Sequence, residues 1–287
     1  MSTKQRGSGW SIKLVFNFYK TFGYTFIYYL MYPVTFFYFL VAHNVKEALK
    51  EYYAHIEEPF TLWGYYDHLR HFAITMCDRF ISKVEPQSYT FIMENPELLL
   101  SNVQQGSILL LSHFGGWAAA GNCLSGFKMN VIMQEALLEE IKAIEESLEM
   151  KNTHLHIIDL SKGASSVSLE IASALLRNES VAMMADRATE PKHAKEILFF
   201  GKPALFNQNP FAIAYKTQKP LIALVVIYEK VRTYRIECMN LTMNKTHHQT
   251  EEIETSMQRY ADFLANIVKR YPKQWFNFYH FWKEKKA

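Results

Sequence analysis

The sequence predicts an α/β fold: a mostly parallel central sheet flanked by helices, behind an N-terminal aromatic, membrane-anchoring helical segment. Three observations predict it. Two short continuous apolar runs, Ser107 to Ser112 and Ser180 to Ala185, read as strands buried on both faces. Such runs alternate along the chain with stretches of helical periodicity. A third stretch, Thr21 to Ala42, carries no charge over 22 residues.

The N-terminal stretch comes first in the chain. The first 46 residues hold five cations (Lys4, Arg6, Lys13, Lys20 and Lys46) and no acid, the first acid being Glu47. A basic leader before an apolar run suits a segment facing anionic lipid headgroups. The run is long enough to span a bilayer, which takes about 20 apolar residues. It is also rich in Tyr, which prefers the membrane interface, and is interrupted by Pro33, which removes a helix donor. It lacks the small-residue cleavage site of a signal peptide. One tilted span and two helical pieces lying in the interface both fit, as does a buried aromatic core helix. A non-cleaved anchor, interfacial or shallowly inserted, is preferred. A spanning helix would keep the basic N-terminus inside and put the body of the protein outside. The three cysteines, Cys77, Cys123 and Cys238, are far apart and odd in number, which suits a reducing compartment. Residues 1–45 are therefore the anchoring segment and 46–287 the body.

Within the body, Lys46 to Lys83 has helical spacing, with Trp63, Tyr66, Leu69, Arg70 and Ala73 recurring on one side. After the strand at Ser107 to Ser112 comes a Gly-containing turn, then Trp117 to Gly126, which is Ala-rich and reads as a helix. Val131 to Met133 is a short strand, Glu135 to Met150 a helix with an acidic face, and His154 to Asp159 a strand. Ser161 to Ser166 is a loop whose serines cap a helix reaching about Arg177. Further strands are Ser180 to Ala185, Pro220 to Tyr228 and Tyr234 to Met239, and Glu251 to Arg270 is a long helix. Sheets of this kind bind ligands at the carboxyl ends of their strands, which here means the loops Ser112 to Gly116 and Asp186 to Lys195.

Composition and motifs exclude several function classes. Hydrophobic residues at 49% and charged residues at 21% exclude a disordered chain. A net charge of +3 is too small to imply nucleic acid. His68 and His71 could share a helix face, but no third ligand is evident, so no metal is expected. His247 and His248 read as surface. A G-x-S-x-G elbow, a P-loop and a G-x-G-x-x-G are all missing, which argues against an α/β-hydrolase and common nucleotide sites, and no cofactor is expected.

Two constellations carry chemistry. His113 ends a buried strand and opens the run Phe114-Gly115-Gly116-Trp117. A histidine there is placed for general-base work, and Gly115 and Gly116 allow close backbone approach, with following N–H groups free to meet an oxyanion. It also fits a capped, hydrogen-bonded histidine with no reaction to run. Asp186-Arg187 ends the strand from Val181 to Ala185 and reads equally as a salt bridge or a site.

Taken in order, these pieces resemble the lipid A biosynthesis late acyltransferases (the lauroyl and myristoyl transferases) and their phosphatidylinositol mannoside relatives. The resemblance runs through the basic leader and aromatic anchor, His68 with Phe72-Ala73 and Asp78-Arg79, and Ile108 to Trp117 with His113-Phe114-Gly115-Gly116-Trp117. It continues through Asp186-Arg187, Phe199-Phe200-Gly201-Lys202-Pro203-Ala204, the apolar helix of Asn209 to Pro220, and Pro272-Lys273-Gln274-Trp275. It covers nearly the whole chain. It implies transfer of a fatty acyl group from an acyl thioester to a membrane lipid or glycolipid acceptor, with His113 as general base. The donor would be acyl carrier protein or acyl-CoA, and the protein would sit at the bacterial inner membrane, on the cytoplasmic face. Gly115 and Gly116 would line the oxyanion site, and Arg187 and Lys202 would hold phosphate on acceptor or donor.

One position departs from the family. Its motif is His, four residues, then Asp or Glu, and here Ala118 stands five after His113. Asp186, which ends a strand of the same sheet, is the first candidate for the missing acid, and Glu135 the second. A catalytically weak or inactive lipid-binding homologue, and a thioester hydrolase using the same histidine, are the alternative readings.

Overall fold

The computed structural model of the chain describes residues 9–119, 121, 123–124, 126–133, 155–188, 190–246 and 248–282. Helices α1 (Gly9–Val41), α2 (His43–His55) and α3 (Leu62–Val84) come first, so the helical stretch expected from Lys46 to Lys83 is two helices. Strand β1 (Thr90–Met93), α4 (Pro96–Gln104), β2 (Ile108–Leu111), β3 (Met129–Met133) and β4 (Leu155–Asp159) follow. Then come α5 (Ala164–Leu176), β5 (Ser180–Met184), β6 (Ala194–Phe199), β7 (Lys202–Asn207), α6 (Asn209–Thr217), β8 (Leu221–Lys230), β9 (Thr233–Asn240) and α7 (Gln249–Arg270).

Seven strands form one sheet in the order β1-β9-β8-β2-β5-β3-β4. Every pairing in it is parallel except β8 with β9, so the sheet is mostly parallel, as expected. Its central strands are buried and non-charged from Ile108 to Leu111 in β2 and from Leu221 to Tyr228 in β8, because both faces are covered there. Ile108 and Leu110 of β2 pack into one core layer with α2, α5, α6 and α7. Leu109 and Leu111, of the opposite parity, pack into the other with α1, α3 and α4. Strands β6 and β7 form a separate antiparallel hairpin, which the strands expected from the sequence do not include.

Helix α1 is broken at Gly23, whose φ of 76° lies in the left-handed region. Beyond the break, Ile27 and Met31 are buried in the core layer shared with Ile74 and Ile81 of α3, and the Tyr66 hydroxyl donates to the Tyr32 carbonyl at 3.1 Å. The other face of α1 is open, and Phe22, Phe26, Phe36 and Phe37 are exposed. The stretch Leu14–Val41 has a mean hydropathy of 1.3 and is long and apolar enough for a membrane span, with only 17% of its most apolar window buried. A core helix would be mostly covered, so this segment fits an anchor.

Two local expectations are corrected. The described residues of Trp117 to Gly126 form turns, not an Ala-rich helix: Trp117 and Ala119 N–H donate to the carbonyls of Phe114 and Gly116 three residues back, at 3.3 and 2.8 Å. Gly121, in the middle of the stretch, costs a helix about 1 kcal/mol relative to alanine. The cap of α5 is Gly163, at φ 86°, with no side-chain cap bond, while the side chain of Asp159 takes the Ser161 N–H at 2.9 Å. Glu135 to Met150, with the candidate acid Glu135, lies outside the described residues.

Candidate functional site

Register brings the two central residues together. Strands β2 and β5 are paired neighbours with Leu111 opposite Met184. His113 and Asp186 each lie two residues beyond those partners, so both leave the sheet at the same height on its carboxyl edge. The N–H of Ala185 donates to the Leu111 carbonyl at 2.9 Å and extends the ladder to that point.

Asp186 is buried, and its carboxylate is fully engaged. Oδ1 accepts from His113 Nδ1 at 2.9 Å. Oδ2 accepts from the backbone N–H of His113 at 2.9 Å and from Trp275 Nε1 at 3.1 Å. The side chain of His113 keeps 25% of its surface exposed, against 1% for Asp186. A quarter-open imidazole backed by a buried carboxylate is the arrangement of a general base with its orienting acid.

Arg187 Nε lies 3.0 Å from the same Nδ1. One nitrogen cannot donate to Asp186 and accept from Arg187 in a single state. The negative charge of Asp186 puts the proton on Nδ1, which leaves Nε2 as the basic atom and Arg187 acting through its charge. The guanidinium also faces the ring of Tyr279, at 5.3 Å, and reaches the Phe276 carbonyl at 3.5 Å.

These surroundings set the protonation states. Burial disfavours the charged ring of His113 and lowers its pKa from the ordinary value; Asp186 raises it and Arg187 lowers it further. The imidazole is therefore neutral at neutral pH, the state a base needs. Burial also works against the Asp186 carboxylate, but the charges and hydrogen bonds of His113, followed by Arg187, outweigh it and hold the carboxyl well below the usual carboxylate range.

Gly115 and Gly116 lie in the turn after His113, but their N–H groups are not free. Gly115 donates to the Gln274 carbonyl and Gly116 to the Val226 carbonyl, both at 2.8 Å. The expected oxyanion contact from these groups is corrected on that ground. The glycines serve close approach instead. A side chain on Gly115, at φ 51°, would run into the Val226 carbonyl, and one on Gly116 into the ring of Tyr234. Lys202 is not part of the cluster either. It is exposed at the β6–β7 turn, five strand positions, about 17 Å, from Asn207. Asn207 is the hairpin residue tied beside Asp186, through bonds to the carbonyls of Ala185 and Met184 at 3.1 and 2.8 Å.

Sequence reasoning assigned no role to the C-terminal strap that closes the site. Phe276 N–H donates to the His113 carbonyl at 2.7 Å, and the Gln274 side chain grips both backbone groups of Tyr228 at 2.8 Å. Trp275 is fully buried between them. Its carbonyl accepts from His68 Nε2 at 3.0 Å, while His68 Nδ1 faces the Tyr53 hydroxyl at 3.3 Å. Burial pushes the His68 pKa down to about 3, so this histidine is a neutral clamp rather than a ligand or base. The Pro-x-Gln-Trp run was the available signal, but nothing local says that it lands on a strand end 160 residues away.

A second support stands behind the turn. Asp78 is buried on α3 and accepts from the hydroxyls of Tyr89 at 2.8 Å and Tyr234 at 2.5 Å. Tyr234 is the ring packed on Gly116, so α3 fixes the turn through it. Burial raises the Asp78 pKa, with the tyrosine donors pulling it back.

Trp275→Phe is expected to keep the buried ring but remove the Nε1 donor to Asp186. A hydrogen bond to a charged group contributes about 1.5–3 kcal/mol, so a roughly tenfold loss in kcat at unchanged KM follows. A loss confined to thermal stability would contradict a positioning role.

The sequence model of the family described as bacterial lipid A biosynthesis acyltransferase matches residues 73–284. No curated protein matches the chain. The family match spans well over half of the 287 residues, and the chain belongs to the bacterial lipid A biosynthesis acyltransferase family.

Proposed function

From that membership as premise, we propose that this chain moves a fatty acyl group from an acyl thioester to the hydroxyl of a membrane lipid or glycolipid, with His113 as general base. The observation that carries the reading is the neutral imidazole of His113 held through Nδ1 by Asp186 at 2.9 Å.

Nε2 takes the acceptor's proton as the acceptor oxygen attacks the thioester carbonyl. A C–O bond forms, and the carbonyl electrons move onto oxygen. Arg187, the nearest cation to His113, stabilises that oxyanion, a role the engaged N–H groups of Gly115 and Gly116 leave open. Collapse breaks the C–S bond, and the imidazolium returns its proton to the leaving thiolate. Asp186 holds the ring in the required tautomer and offsets the transient positive charge. The donor is acyl carrier protein or acyl-CoA. Residues 1–45 form the anchoring segment and 46–287 the acyltransferase domain, which α1 keeps at the cytoplasmic face of the inner membrane, where the acceptor lies.

The reading of an inactive lipid-binding homologue rests on Ala118. Asp186 supports the catalytic reading against it, because it supplies a carboxylate to the same imidazole from 73 residues further along the chain. Mass spectrometry of lipids from cells with and without the gene tests the proposal. One glycolipid or lipid species is expected to lose the mass of a single acyl chain when the gene is absent, and an unchanged lipid profile would contradict it.

A further inference from the structure

The first turn of α3 is built unlike a water-facing helix start. Thr61 caps it, its Oγ1 accepting from the Gly64 N–H at 2.9 Å. Acidic residues stabilise a helix N-terminus, yet this first turn has none. Its first two positions are instead Leu62 and Trp63, which are 56% and 76% exposed. Neither helix formation nor the core requires them there.

These two side chains are not scattered. With Phe36, Phe39 and Tyr66 they line an open groove of about 330 Å³ between the C-terminal part of α1 and the start of α3. Phe36 is itself 54% exposed and belongs to the open aromatic face of α1, so groove and face are one surface. The lining residues carry two polar side-chain atoms: the Tyr66 hydroxyl, which is already donating to the Tyr32 carbonyl, and the indole N–H of Trp63 at the rim. Nothing in the lining asks for a polar ligand. The volume lies at the low end of the about 300–1,000 Å³ typical of small-molecule sites, which suits a single hydrocarbon chain rather than a whole lipid.

We propose that this groove takes one acyl chain of a bilayer lipid, with Trp63 at its rim as a second membrane contact beside α1. The inference rests on the reading that α1 meets a membrane, and it deepens that reading: docking through two elements fixes the roll of the domain on the surface, which α1 alone would leave free. Tryptophan suits the rim because its ring is apolar while its N–H stays wet. The connection before Thr61 carries exposed Glu57 and Glu58, so the contact is apolar rather than a headgroup attraction.

The test uses the full-length protein and neutral phosphatidylcholine vesicles, with acyl chains brominated in one set. Brominated chains quench any tryptophan they touch, and the share belonging to Trp63 is the difference between wild type and Trp63→Phe. The expected result is vesicle binding by both proteins, a quenching component present in wild type and missing in Trp63→Phe, and roughly tenfold weaker vesicle binding by Leu62→Ser/Trp63→Ser. Vesicle-bound wild type with no Trp63 component overturns the groove while leaving α1 as an anchor. No vesicle binding by wild type overturns both. A second copy of the chain as occupant would appear as a dimer lost in the double variant, and that also overturns the lipid assignment.

Discussion

Replacing His113 with alanine is expected to lower acyl transfer by roughly 10³–10⁴-fold, the scale of a general base with its electrostatic support removed. The fold is expected to survive. The ring is a quarter exposed, and the backbone contacts that hold the turn, His113 N–H to Asp186 and Phe276 N–H to His113 carbonyl, do not involve it. The reaction's pH dependence carries the same signature. A base works in its neutral form, so the rate falls as pH drops through its pKa. Burial lowers that pKa from the ordinary value, which puts the acidic limb of kcat/KM below about pH 6.5. Activity of His113→Ala within a few-fold of wild type, or an acidic limb well above neutrality, would contradict the assignment.

Asp186→Asn carries the second large effect, for a reason specific to this geometry. Two N–H groups, the backbone of His113 and Trp275 Nε1, point at Oδ2. An asparagine amide cannot face them, so the carbonyl oxygen of the new side chain takes that place and its NH₂ group turns to His113 Nδ1. The NH₂ group is a donor. It therefore forces the proton from Nδ1 to Nε2, the tautomer that cannot accept the acceptor's proton. Turnover is expected to fall roughly 10²–10⁴-fold, with donor KM little changed; the comparable change in a serine protease costs about 10⁴. The residual activity shifts its acidic limb to lower pH, because Asp186 raises the His113 pKa and its loss lets the value fall. A kcat within a few-fold of wild type would leave Asp186 a structural buried acid only.

Much of this site could be read from the chain before its structure. The runs Ile108 to Leu111 and Val181 to Met184 are apolar at every position because both faces of the sheet are covered, and that alone marks them as central strands. A histidine and an aspartate just past such strands must emerge at the same edge. Whether they meet depends on the strand order, which no local pattern encodes. Here β2 and β5 happen to be neighbours in matching register, and that turns a shared edge into a hydrogen bond. The turn at Gly115 and Gly116 differs from its expectation for a related reason. Their N–H groups look free in the sequence, and only the arrival of Gln274 and Val226 from distant segments uses them. Trp117 to Gly126 looks helical by its three alanines, but Gly121 interrupts it. The hairpin of β6 and β7 escaped because its strands alternate exposed and buried residues across a Phe-Gly turn instead of forming a continuous apolar run.

The measurement that bears most directly on the account is acyl transfer by the purified full-length chain. A lipid A precursor would be supplied in detergent with a fatty acyl thioester, on acyl carrier protein in one series and on coenzyme A in another, and products followed by mass spectrometry beside release of free thiol. The account predicts an acylated lipid formed in step with the thiol from at least one donor, and its loss in both His113→Ala and Asp186→Asn. Thiol released with only free fatty acid as product, or no release above the protein-free rate from either donor, would contradict it.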